Sequence, residues 1–99
     1  MNSFKPYKLD TKKVTLSGAS QRIELPQPAR SGDVIKVSNI GTATAFLRNG
    51  DSTITASTTV DMPQLANSVE TYSLDQGDTH VAINGVAGSD VYVTQGVGL

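Results

Sequence analysis

Short runs of β-branched and alternating residues recur along this sequence from Lys13 onward. Each is cut by Gly, Pro, Asn or Asp before it reaches helical length. Such punctuation builds strands and turns. No window repeats apolar residues at the three- and four-residue spacing that a helix face requires. Val14-Thr15-Leu16 reads as a strand ending at Ser17-Gly18. In Gln21–Leu25, Ile23 and Leu25 alternate inward while Arg22 and Glu24 point out, until Pro26 and Pro28 stop the run. Ser31-Gly32-Asp33 turns the chain into Val34–Ser38. Asn39-Ile40-Gly41-Thr42 then predicts a hairpin into Ala43–Arg48, since Asn and Gly tolerate tight connections. Beyond Asn49-Gly50-Asp51, the Ser/Thr-rich run to Val60 reads as loop or edge strand, with Thr53–Thr55 a candidate short strand.

Met62-Pro63 reads as another break. Val69–Leu74 alternates, with Glu70, Tyr72 and Leu74 on one face. A last hairpin is predicted from His80–Ile83 and Asp90–Thr94 across Asn84–Ser89. The closing Gln95-Gly96-Val97-Gly98-Leu99 is too glycine-rich for regular structure unless a partner orders it. About eight short strands result, and their natural packing is an all-β, antiparallel two-sheet sandwich, with the jelly roll among its possible connections. Periodicity leaves the strand order open.

Composition supports a thin core. Of 99 residues, 37% are hydrophobic, with no Trp, two Phe and three Tyr, which leaves little material for a deep ligand cavity. There is no Cys, so disulfides and thiolate metal sites are excluded. A net charge of -1 disfavours a general nucleic-acid binder. No apolar run approaches a membrane span and no hydrophobic signal region opens the chain, so a soluble intracellular product is expected.

Charge is uneven. Lys5, Lys8, Lys12 and Lys13 crowd the first thirteen residues against Asp10 alone. Phe4, Tyr7 and Leu9 are interleaved with them, and a solubilising tail has no use for such side chains. Residues 1–13 are therefore expected to act as a basic arm, ahead of a sandwich domain spanning 14–99. Phe4 and Tyr7 would anchor on a partner while Lys5, Lys8, Lys12 and Lys13 supply charge complementarity. Tyr92, facing away from Val91 and Val93, is a further candidate interface anchor.

Catalytic material is thin. His80 is the only histidine, in a strand where it reads as a surface or pairing residue, and no GxSxG elbow accompanies it. Asn49, Asp51, Asp75 and Asp78 read as turn residues, without the donor pattern of a calcium loop. Glu24 and Glu70 are the only glutamates and suggest no paired-carboxylate site. No catalytic residue, metal or cofactor is expected. Phe46 and Tyr72 read as core.

The strings VIKVSNIGTATAFLRNG, MPQLANSVETYSLDQGDTHVAING and VYVTQGVGL together resemble small β-rich structural proteins of tailed bacteriophages. The resemblance spans residues 34–99 and rests on Val37, Asn39, Gly41, Thr42, Ala43, Ala45, Phe46, Pro63, His80, Val81, Ala82, Tyr92, Thr94, Gly96 and Gly98. Where such proteins commonly carry a glycine after the proline, this chain has Leu65-Ala66-Asn67. The resemblance implies a virion component located on the capsid surface, a capsid decoration or cement protein made in the host bacterial cytoplasm and bound to the major capsid protein or other virion proteins, homo-oligomeric or lattice-bound. The alternatives are a tail or head–tail connector component and, more distantly, a carbohydrate-binding sandwich.

Overall fold

The computed structural model describes residues 5–59 and 61–97, with eight strands and no helix among them. In chain order these are β1 (Lys5–Thr15), β2 (Gln21–Glu24), β3 (Asp33–Asn39), β4 (Ala45–Gly50), β5 (Met62–Gln64), β6 (Ser68–Ser73), β7 (His80–Gly85) and β8 (Asp90–Val97). One antiparallel sheet runs β1-β8-β3-β6 and the other β2-β7-β4-β5. The chain thus resembles one long ribbon, pairing β1 with β8, β2 with β7, β3 with β6 and β4 with β5, rolled into two layers. This order is the eight-stranded jelly roll.

The alternation read from the sequence fixes which faces meet. Val14, Ile35, Val37, Val91 and Val93 from one sheet pack on Leu47, Val81 and Ile83 from the other, with Ile23 and Tyr72 at the margin. Phe46 departs from expectation: its neighbours Ala45 and Leu47 take the core face, so its half-buried ring lies on the opposite side.

Both predicted hairpins are arches instead. β3 and β4 lie in different sheets, as do β7 and β8. Turn residues specify that the chain reverses, and they serve a sheet-to-sheet crossing as well as a ladder-closing turn. Gly41 shows the demand of one arch, because a Cβ there would lie 2.6 Å from Ser89 Cβ.

Three other segments differ from expectation. The strand expected to start at Val14 starts at Lys5, with an irregularity between Pro6 and Thr11, so the boundary placed after residue 13 falls inside β1. Met62-Pro63 is strand rather than break, since β5 is an edge and its Pro63, paired with Phe46, need not donate on both sides. Gln95–Val97 remains in β8 despite Gly96 because β1 and β3 pair with it on both sides. Asn67 takes φ of 55°, a conformation asparagine tolerates better than most residues.

Candidate interaction surfaces

The two outer faces of the sandwich are unequal. The β4–β5 connection, drawn from the Ser/Thr-rich run, is loop, and it lies across the outer face of the β2-β7-β4-β5 sheet. Ser20 Oγ accepts from Ala56 N at 2.8 Å, Asn84 Nδ2 donates to Ala56 O at 3.0 Å, and Arg22 Nη1 donates to Ile54 O at 3.4 Å. Ala82 sits on that face between Arg22 and Arg48, yet is fully buried. Gly50 leaves room for Ile54, whose Cγ2 would lie 2.7 Å from any Cβ there.

The outer face of the β1-β8-β3-β6 sheet carries no such strap from the described residues. Register sets Lys13, Tyr92, Ser38 and Val69 in one row across four strands, and Thr11, Thr94, Lys36 and Thr71 in the next. Thr11 and Thr94 share a 2.7 Å hydrogen bond. Asp90 accepts from Thr15 Oγ1 at 2.7 Å and stands 3.8 Å from Lys13 Nζ. Exposed pairs of this kind contribute about 1 kcal/mol at most, so they order the face without closing it.

The expected binding residues divide accordingly. Lys13 and Tyr92 are cross-strand neighbours on the open face. Lys12 pairs with Val93 and therefore takes the other side of β1. Phe4 lies outside the described residues, and only the backbone of Lys5, Tyr7 and Lys8 is described, within β1.

Sequence reasoning missed the exposed apolar residues. Ile40, Met62, Leu65, Val69 and Val86 each stand more than half exposed. Ile40 and Val86 line a groove of about 330 Å³ where the β3–β4 and β7–β8 arches meet. Met62, Leu65, Glu70 and Tyr72 line another of about 430 Å³ along the β5/β6 flank. For Ile40, Leu65 and Val86 the available signal was a large apolar residue in a turn, where polar residues would serve; Met62 and Val69 lie in edge strands and gave none.

Beneath that flank lies a buried polar joint. Gln64, 1% exposed, donates through Nε2 to Val37 O at 2.8 Å and Ser68 O at 3.0 Å, and accepts from the Tyr72 hydroxyl at 3.0 Å. Asn39 Nδ2 donates to Gln64 O at 3.1 Å and Ala43 O at 3.0 Å, while its Oδ1 accepts from Gly41 N. These bonds tie one edge of each sheet together. Burial, and then the charge of Glu70, raise the Tyr72 phenol above its usual 10.0.

Of the polar residues read as turns, Asp51, Asp75 and Asp78 lie outside the strands, whereas Asn49 lies near the end of β4. Asp78 accepts from Asn49 Nδ2 and Asp75 N. Hydrogen bonds from the Thr53 hydroxyl and backbone N–H hold the Asp51 carboxyl below its usual 3.8. His80 is half-buried, paired with Glu24 across the strands, and its Nδ1 shares a 2.8 Å hydrogen bond with Thr79 Oγ1. Among the described residues, no three His, Cys, Asp or Glu side chains gather in a metal-binding group.

The fold and these surfaces define a compact β-sandwich structural domain. No family model matches the chain, and neither does any curated protein. Among solved structures it is similar to a chain from Bacillus endospore appendages, described as a novel family of disulfide-linked pili. That match has a TM-score of 0.52 and 15% identity, covering 100% of this chain and 88% of the other. At that identity the likeness is one of fold.

Proposed function

We propose that this jelly roll is a structural protein of a bacteriophage particle that decorates or cements the capsid shell. The observation that carries the reading is the inequality of the two outer faces. One is covered by the chain's own loop, and the other presents Tyr92 beside Lys13 on an open sheet. An aromatic anchor with a cation beside it suits a flat acidic partner, and repetition over a lattice multiplies a modest single-site affinity. The phage-like strings over residues 34–99 give the partner its identity in this reading. The solved-structure likeness is to a protein that builds pili, which is also an assembly role. A disulfide-linked assembly is closed to this chain, which has no Cys.

Cosedimentation with undecorated phage heads tests the proposal. Lys13→Glu combined with Tyr92→Ala should weaken binding by roughly thirtyfold or more, corresponding to an anchor worth about 2 kcal/mol. Ile40→Ser combined with Val86→Ser, at the arch end, should leave occupancy unchanged. Binding to tails or connectors alone would move the protein off the shell, and binding to no virion part would remove the phage reading.

A further inference from the structure

The two edges of the β1-β8-β3-β6 sheet are built differently. β1 carries Pro6, an irregular register and lysines, devices that discourage pairing with another strand. β6, at the opposite edge, reads Ser-Val-Glu-Thr-Tyr-Ser and has no proline or lysine. Beside it, Met62 and Leu65 stand exposed on the groove where β5 forms the edge of the second sheet. Among the described residues, three of the five exposed large apolar side chains, Met62, Leu65 and Val69, therefore belong to this flank.

We propose that β6 pairs antiparallel with β6 of a second copy of this chain, about a two-fold axis normal to the sheet. The symmetry allows only registers that set some residue opposite itself, and two of them overlap five β6 residues. One opposes Glu70 to Glu70 and is disfavoured by like charge. The other opposes Thr71 to Thr71 and sets Glu70 against Tyr72 of the second copy, on the groove side. That register pairs no like charges, and it brings Met62 and Leu65 of both copies to one seam. At about 3.3 Å per residue β6 is about 20 Å long, and the molecule measures 22 Å through its shortest dimension. With five residues overlapping, about 17 Å of strand, the joined flanks bury roughly 750 Å² in total, below the ~1,200–2,000 Å² of stable specific interfaces, so the dimer is weak and concentration-dependent. It leaves β1 and the side chains of Lys13 and Tyr92 open on both copies.

Sedimentation equilibrium of the full chain alone, without shells, tests this independently of the proposed function. The mass should rise from 10.4 kDa toward twice that value with a midpoint on the order of tens of micromolar. Thr71 is exposed opposite Lys36 of its own sheet, so Thr71→Lys adds one like-charged neighbour at the surface but leaves the core intact and the chain folded. By opposing two ammonium groups across the seam it should weaken the dimer roughly tenfold or more. Thr71→Glu should do the same, and mixing the two variants should restore association as a heterodimer. Lys13→Glu, on the other edge, should leave the midpoint unchanged. A monomer at all concentrations would overturn the proposal, as would Thr71→Lys dimerising like the unaltered chain, or a mixture that fails to associate.

Discussion

Replacing Gln64 with Met tests how far the buried polar joint holds the two sheets together. Met keeps the length and most of the volume but removes three hydrogen bonds: those to Val37 O and Ser68 O, and the one from Tyr72. Each such bond contributes about 1 kcal/mol net. The half-buried Tyr72 hydroxyl can recover water, whereas Val37 O faces a side chain only 1% exposed. The expected loss is therefore about 2–3 kcal/mol, a large share of the roughly 5–15 kcal/mol that holds a small domain together. In urea, with a slope near 1–1.5 kcal/mol per molar, the midpoint should fall by about 2 M at unchanged slope. Tyr72→Phe should cost about 1 kcal/mol, and the double variant should fall short of the sum by about the same amount. A loss below about 1 kcal/mol for Gln64→Met, or strict additivity, would refute the joint.

Gly41→Ala places a methyl against Ser89 Cβ in a packed arch and should cost about 1–3 kcal/mol, seen as a lowered Tm. Ser89→Gly in the same chain should recover part of that loss, and no recovery would show that the close approach is not the cause. The raised Tyr72 phenol favours the neutral folded state. Its stabilisation is complete below pH 10.0 and is lost as pH rises through the higher folded value. Ultraviolet titration should place this tyrosine above an exposed one, and Glu70→Gln should move it partway back. An unchanged titration would remove Glu70 as a cause.

The sequence made the strands legible because Ile35, Val37, Val81, Ile83, Val91 and Val93 follow the two-residue period that one buried face imposes. Their arrangement was not legible. The Asn39–Thr42 turn has the same residues whether it closes a ladder or arches between sheets, and only long-range pairing decides. β1 was hidden because its lysines sit at a sheet edge, where alternation is not enforced. Gln64 and Asn39 read as ordinary polar residues, since their burial depends on strands that meet only in the folded state. Of the candidate site, Lys13 and Tyr92 were named from separate clues, and their adjacency required the β1–β8 register. Leu65 carried no warning beyond being large and apolar in a turn, and Met62 carried none.

Image reconstruction of phage heads saturated with the protein tests the central claim most directly. Jelly-roll density should repeat across the capsid lattice, with the sheet face bearing Lys13 and Tyr92 turned toward the shell. Density confined to a single vertex or to the tail, or a shell contact made through Ile40 and Val86 at the arches, would contradict it.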